Sequence, residues 1–392
     1  MARRGQVTQA DMPLFTCNVP RTDPYLRAVL PTPERLGALS DYSGRGVVIA
    51  VVDSGFYMHP DLGERVLVHA DATTDQIVEY PRVMQTDDLS WHGQMTSVIA
   101  AGDGALSGGR YRGVASNSQL VLVKVSSPRG QVKERDILRG LNWVLEARRR
   151  FHIRVVNLSV GGDDASFDPN HPLHEAVRRL TEEGVVVVAA SGNHGRDGLV
   201  PPASAVDAIT VGGYDDHNTT DRSQWTRYQS DWGTAYDGSC KPDIVAPAAW
   251  IASPILPGSL VDREAYWLGP LLESESERAL KRLLTHGYGD LGIAREQALK
   301  PDARLYEMLQ ARINSHKLID AKHQHVDGTS VSAAIVSGVV AQMIEANPHL
   351  TPAQIRQLLA STAHPIDGIS SAQQGAGALD PARAVRAALE AA

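Results

Sequence analysis

The chain has 392 residues, a formal net charge of −7, 43% hydrophobic residues and 21% charged residues. This composition is ordinary for a globular protein of one or two domains, and the negative charge argues against a general binder of nucleic acids or membrane surfaces. Its two cysteines, Cys17 and Cys240, are too few for a disulfide framework, so we expect free thiols in a reducing compartment.

Residues 1–42 form an irregular stretch ahead of the first predicted strand. Five prolines interrupt it, and its polar start lacks the apolar segment of a signal peptide. We therefore predict an N-terminal arm over 1–42, a main domain over 43–392 and a cytoplasmic location. We identify no apolar run long enough to cross a bilayer, and we predict no membrane partner.

From residue 47 onward, short β-branched runs alternate with helical patterns. The runs predict buried strands at 47–52, 119–125, 153–159, 185–190 and 208–212. The helical patterns fall at 134–150, 172–183 and 331–346. This alternation predicts an α/β fold with a mostly parallel sheet and helices on both faces. The 331–346 helix is apolar all round, so we expect it to be central and buried.

Two of the predicted strands end in polar residues flanked by glycine. Asp53 closes the first strand in Asp53-Ser54-Gly55, and Asn193 follows the fourth strand. The carboxyl ends of parallel strands are where α/β folds place their sites, although each residue would also be ordinary in a turn. Between them, His92 opens a helical run of small residues, where a surface or core histidine is the ordinary alternative.

An unusual segment occupies residues 254–325. Apolar residues at helical spacing predict one helix near 273–286 and another near 302–314. We interpret the segment as a helical insert that is either a surface subdomain or a lid and protein-partner dock. The second alternative stays open because a long segment without function is uncommon and this one leads directly into the next motif.

Ser330 lies in Asp327-Gly328-Thr329-Ser330, directly ahead of the buried helix. The start of a helix favours negative charge through its dipole and its free N–H groups. A serine hydroxyl becomes a useful nucleophile only when a base takes its proton and donors receive the oxyanion. The chain supplies a histidine, a carboxylate and an amide in the motifs above.

Together these motifs resemble the subtilisin-like serine proteases, or subtilases. The order Asp53, His92, Ser330 is the subtilisin order, and Asn193 lies in a matching Ser-Gly-Asn motif. Further family-like blocks are Val155-Val156-Asn157-Leu158-Ser159-Val160-Gly161-Gly162 and Lys241-Pro242-Asp243-Ile244-Val245-Ala246-Pro247. Two further segments look most like the intracellular-type alkaline subtilases of bacteria, Asp215-Asp216-His217-Asn218-Thr219 and Gly108-Gly109-Arg110-Tyr111-Arg112-Gly113.

The resemblance implies a serine endopeptidase with a subtilisin-like three-layer fold. Ser330 would be the nucleophile, His92 the general base and acid, Asp53 the group that orients the imidazole, and Asn193 the oxyanion donor. A polypeptide substrate would pair with Ser159, Val160 and Gly161. One wall of the first specificity pocket would be Ala190, Ser191 and Gly192, whose small size suggests a sizeable apolar or aromatic substrate side chain.

Two other functions remain possible from the sequence. One is a protease of low basal activity that the 254–325 insert gates or a partner activates. The other is a peptide-binding pseudoenzyme, which the intact set of four catalytic residues argues against. We assign no metal and no cofactor. Acidic loops at 71–75 and 87–88 and at Asp103 leave a structural calcium ion possible, but none has an EF-hand pattern.

Overall fold

The protein is described from a computed structural model that covers residues 14–20, 29–81, 89–274 and 276–391. By internal contacts the chain divides into two compact units, one of residues 30–253 and 326–392 and the other of residues 1–29 and 254–325. Much of the predicted N-terminal arm, residues 1–13 and 21–28, lies outside the described residues, as does the acidic pair at 87–88.

The larger unit is built on a mostly parallel sheet. Its strands are β1 (Val48–Asp53), β2 (Val66–Asp71), β3 (Val78–Tyr80), β4 (Gln119–Lys124), β5 (Ile153–Leu158), β6 (Val186–Ala190), β7 (Ile209–Asp215), β8 (Thr226–Arg227) and β11 (Ile244–Pro247). The order across the sheet is β11-β7-β6-β5-β1-β4-β2-β3, with β8 beside β7. All pairs are parallel except β2 with β3 and β7 with β8.

A small antiparallel pair, β9 (Gly233–Thr234) with β10 (Cys240–Lys241), also belongs to this unit. Two further strands lie where the chain passes from one unit to the other, β12 (Ile251–Pro254) and β13 (His323–Val326). The five predicted strands correspond to β1, β4, β5, β6 and β7, with ends shifted by at most a few residues. The sequence pattern did not predict β2 or β3.

Helices cover both faces of the sheet, as predicted. One face packs against α3 (Glu134–Phe151) and α4 (Pro172–Glu182). The other packs against α2 (Ser90–Ala101), α9 (Thr329–Ala346), α10 (Pro352–Thr362) and α12 (Pro381–Glu390). The short helices α1 (Thr32–Arg35) and α11 (Ser371–Gln374) complete the unit. Because α9 is apolar on every side, it lies at the centre of its layer and is buried along almost its whole length.

From the sequence we identify no apolar run long enough to cross a bilayer, but by length and composition α9 is one such segment among the described residues, with 83% of it buried inside the protein. Its surroundings are those of a core helix: its valine and isoleucine side chains pack on the sheet and on α2. Dense packing of this kind fixes the position of the helix start, which matters for the residues that begin it.

Within the residues that the structure describes, the smaller unit contains four helices, where the sequence pattern predicted two. They are α5 (Leu260–Leu272), α6 (Glu277–Gly287), α7 (Arg295–Leu299) and α8 (Ala303–Ser315). Leucines of α5, α6 and α8 form a separate core that also contains Phe15, whose ring stacks on Tyr306. Thr16 and Gln310 exchange hydrogen bonds in both directions. Residues 14–20 of the predicted N-terminal arm therefore belong to this helical unit, whereas residues 30–42 of the arm belong to the larger unit.

Candidate active site

The polar residues at the carboxyl edge of the sheet meet in one place. Asp53 is the last residue of β1 and is fully buried, and His92 lies in the first turn of α2. The His92 Nδ1 atom is 2.6 Å from Asp53 Oδ1. A buried carboxylate at this distance fixes the orientation of the imidazole and selects the tautomer that carries the proton on Nδ1.

Two further groups hold the Asp53 carboxylate. The Ser54 backbone N–H donates to Oδ1 at 2.6 Å, and the Thr96 hydroxyl donates to Oδ2 at 3.0 Å. Thr96 lies one helical turn after His92, so both side chains face the same way from α2. Sequence reasoning missed this threonine, although its i+4 spacing from the histidine was the available signal.

The other nitrogen of His92 faces Ser330. Its Nε2 atom is 3.1 Å from Ser330 Oγ, within hydrogen-bond distance. The helix α9 begins at Thr329, one residue before Ser330, so the serine lies in the first turn of the helix. Gly328 lies just before the helix with φ +138°, a backbone conformation that residues with a side chain rarely adopt.

The environment sets the basicity of His92. Burial would lower the pKa of this imidazole, but the charge of Asp53 and its hydrogen bond outweigh burial and raise the pKa above the ordinary 6.5. A base with a raised pKa accepts a proton more readily when the hydroxyl beside it reacts. The geometry and the charge therefore both suit proton transfer from Ser330.

Asn193 lies close to the serine from the adjacent side. Its Oδ1 atom accepts a hydrogen bond of 2.8 Å from the Thr329 backbone N–H. This bond fixes which end of the amide faces Thr329, and it leaves the Nδ2 hydrogens available to another acceptor. Gly192 just before it donates from its backbone N–H to Thr329 Oγ1 at 3.2 Å. The loop that carries the predicted oxyanion donor is thus hydrogen-bonded to Thr329, the residue preceding Ser330.

A cavity of about 250 Å³ opens beside the serine. All six residues predicted to bind substrate line it, Ser159, Val160, Gly161, Ala190, Ser191 and Gly192, together with Asn193 and Ser330. The structure adds residues that the sequence pattern did not indicate, including Arg196, Val200 and Asp231. One wall is the chain after β5 and another is the chain after β6, which accords with the parallel pairing of these strands.

Metal ligation finds no support in the described ranges. No group of three or more His, Cys, Asp or Glu side chains is placed there to hold a metal ion. In the 71–75 loop, Asp71 accepts hydrogen bonds from Thr73, and Asp75 faces Arg139. The absence of a cofactor stays a prediction.

Comparison with known proteins gives a consistent result. The sequence profile described as the subtilase family matches residues 44–377. The serine protease AprX of Bacillus subtilis strain 168 is 30% identical over 326 residues, which are 81% of this chain and 61% of AprX. Subtilisin Savinase of Lederbergia lenta is 33% identical over 218 residues, 55% of this chain and 69% of that protein. The match thus spans less than two thirds of AprX.

Solved structures with a similar fold include a protease of Pseudoalteromonas arctica PAMC 21717, with a TM-score of 0.59 at 20% identity over 93% of this chain and 96% of that one. Fervidolysin of Fervidobacterium pennivorans has a TM-score of 0.61 at 22% identity over 90% of this chain and 45% of that one. At such identities the likeness concerns the fold alone, and it agrees with the α/β architecture predicted from the sequence.

Proposed function

This chain belongs to the subtilase family, and we propose that it is a serine endopeptidase that cleaves polypeptides through an acyl-enzyme intermediate. The observation that carries the proposal is the position of His92, which lies within hydrogen-bond distance of both Asp53 and Ser330. An imidazole held by a buried carboxylate and directed at a serine hydroxyl is the arrangement that activates a nucleophile for acyl transfer.

In the first half of the reaction, Ser330 Oγ attacks the scissile carbonyl carbon while His92 Nε2 takes the hydroxyl proton. The Asp53 carboxylate stabilises the imidazolium that forms. The carbonyl oxygen becomes an oxyanion, to which Asn193 Nδ2 and the Ser330 backbone N–H donate. His92 then passes its proton to the leaving amine, the C–N bond breaks, and the acyl group stays on Ser330. Water attacks this ester by the same route in reverse.

The substrate is proposed to bind as an extended strand along residues 159–161. Backbone hydrogen bonds would supply affinity without regard to sequence, and the cavity beside Ser330 would select one side chain. The strand placement accords with the cavity wall that Ser159, Val160 and Gly161 form. We also propose a cytoplasmic location, which accords with the free thiols of Cys17 and Cys240 and is testable by fractionation of the producing cell.

Hydrolysis of an unfolded protein and of a short chromogenic peptide tests the proposal. We expect the wild-type protein to cleave both and Ser330→Ala to cleave neither at a comparable rate. A folded wild-type protein that binds peptides but leaves them intact would favour the pseudoenzyme alternative. A matched variant, Ser332→Ala, removes a buried hydroxyl of the same helix that hydrogen-bonds Ala246 and Pro247, and it controls for damage to α9.

A gated protease is the second candidate, and chain connectivity favours it. The helical segment 254–325 ends at β13, and Ser330 follows only four residues after Val326. Movement of that segment would therefore reach the nucleophile through the chain itself. Deletion of 260–320 with a short linker tests it. A rise in activity on a small peptide supports gating, unchanged activity opposes it, and failure to fold assigns the segment a structural role.

A further inference from the structure

The loop that carries Asn193 is fastened by one buried carboxylate. Asp231 is 4% exposed and lines the cavity beside Ser330. Its Oδ1 atom accepts hydrogen bonds from the backbone N–H groups of His194 at 2.9 Å and Arg196 at 3.2 Å. Its Oδ2 atom lies 2.9 Å from His194 Nδ1. The Asp231 carboxylate thus makes three polar contacts with the loop after Asn193.

The backbone of Asp231 binds the chain on the N-terminal side of Asn193. Its N–H donates to the Gly192 carbonyl at 3.0 Å. Asp231 therefore binds both peptide groups that flank Asn193, the carbonyl before it and the N–H after it. On the remaining side, Thr329 holds the Asn193 amide itself.

Gly192 is adapted to this contact. Its φ of +109° lies in the region that favours glycine, and a Cβ atom there would overlap the Asp231 carboxylate. The glycine thus allows the loop backbone to approach Asp231 closely. Hydrogen bonds from N–H groups to an ionised carboxylate are stronger than those between neutral groups, so this contact is suited to fixing an exposed loop.

We infer that Asp231 is a positioning residue that holds Asn193 in place to receive the oxyanion. The inference rests on the proposed function, because it assigns Asp231 a role in that reaction. A donor stabilises a transition state only when it is held near the position where charge develops, and a displacement of about 1 Å can cost about 10²-fold in rate. Asn193 is exposed, so hydrogen bonds to its neighbours, and not burial, must hold it.

A double-mutant cycle separates positioning from general stability. We expect Asp231→Ala to lower kcat by about 10- to 10²-fold with little change in KM. Asn193→Ala should cost about 10²–10³-fold. If Asp231 acts through Asn193, the double variant should have the kcat of Asn193→Ala alone, since there is no donor left to misplace. Asp231→Asn keeps an acceptor for the two backbone N–H groups and should recover most of the lost rate.

Asp197→Ala is the matched control. This carboxylate belongs to the same loop and is exposed, and its side chain makes no hydrogen bond in the described part of the chain. It should leave kcat unchanged. If Asp231→Ala does not fold, Asp231→Leu fills the same space without an acceptor and replaces it in the cycle.

Multiplicative effects of the two substitutions, or wild-type kcat in Asp231→Ala, would overturn the positioning role while the protease function stands. A wild-type protein that cleaves no peptide would instead remove the proposed function, and the inference with it. The two failures are therefore distinguishable in one set of measurements.

Discussion

Replacing Asn193 with aspartate is a sharp perturbation because it leaves the shape of the side chain intact. The carboxylate introduced by Asn193→Asp would still accept the Thr329 N–H, which is 2.8 Å from Oδ1 in the wild-type structure. The other terminal atom changes from a donor to an anionic oxygen. The substitution therefore separates the oxyanion role from the attachment to Thr329, whereas Asn193→Ala removes both.

The size of the effect follows from two contributions. Loss of one oxyanion donor costs about 2.7–4 kcal/mol, or about 10²–10³ in kcat. A carboxylate about 4 Å from the developing oxyanion adds a repulsion of about 4 kcal/mol at an effective dielectric constant of about 20. This repulsion corresponds to about 10³ in rate. We therefore expect the kcat of Asn193→Ala about 10²–10³ below wild type, and that of Asn193→Asp lower still by up to about 10³.

The assay is steady-state hydrolysis of a chromogenic peptide at neutral pH, with thermal unfolding to verify that each variant is folded. Both variants should keep KM close to the wild-type value, because the donor acts in the transition state. Equal kcat values for the two variants would refute the reasoning, since no charge would then develop beside this side chain. A loss of less than about threefold in the kcat of Asn193→Ala would also refute it, because removing an oxyanion donor should cost far more than that.

Other consequences concern pH and stability. Because His92 must be neutral to accept a proton, kcat/KM should rise with pH through a pKa above 6.5. Asp53→Asn should move this rise to lower pH, since the burial that lowers the His92 pKa is then no longer opposed by the Asp53 charge. The dependence of kcat/KM on pH over about pH 5–9 checks both predictions. Burial between two aromatic rings lowers the pKa of His69 to about 4, below its ordinary 6.5. Between these two pKa values His69 is protonated in the unfolded chain but neutral in the folded one, so the free energy of unfolding should fall by up to about 3 kcal/mol as the pH drops from about 6.5 to about 4. His69→Phe should remove this contribution, which denaturant titrations at about pH 7 and 4.5 measure. Thr351→Ala removes the N-cap of α10, with its reciprocal bond to Gln354, and should lower the free energy of unfolding by about 1 kcal/mol without changing kcat.

Much of the fold followed from local patterns along the chain. Runs such as Val48–Asp53 and Val186–Ala190 are short, β-branched and buried on both faces, and this composition has few alternatives to a parallel strand. The helix α9 was predictable for a related reason, since it is apolar on every side. Asp53 is the last residue of one such strand and Asn193 lies just after the end of another, so the sheet itself brings them to one edge.

The helical unit was predicted less well. The helix α5 contains Gly269 and Pro270, residues that usually end a helical pattern, and packing of its leucines overrides that preference. The α7 helix has only five residues, too few for periodicity to show. The β2 strand pairs with β4 more than fifty residues away, and its alternation is weak.

The supporting residues of the site were the least accessible from sequence. Asp231 contacts a loop 35 to 39 positions earlier in the chain, and no local pattern marks such a pairing. Thr96 reaches Asp53 across 43 positions. The residues proposed to act chemically carry motif signals because they lie at or near the ends of regular elements: Asp53 ends β1, Asn193 follows β6, and His92 and Ser330 lie in the first turns of α2 and α9. Those that hold them in place become visible only when the chain is folded.

Covalent labelling of Ser330 tests the central claim most directly. The purified protein is treated with a fluorophosphonate probe, which reacts preferentially with an activated serine, and the adduct is located by mass spectrometry beside Ser330→Ala and His92→Ala. We predict one adduct on Ser330, absent from the first variant and strongly slowed in the second, because His92 Nε2 lies 3.1 Å from the hydroxyl. A folded wild-type protein that forms no adduct, or labels as fast without His92, would contradict the assignment of these residues as a catalytic unit.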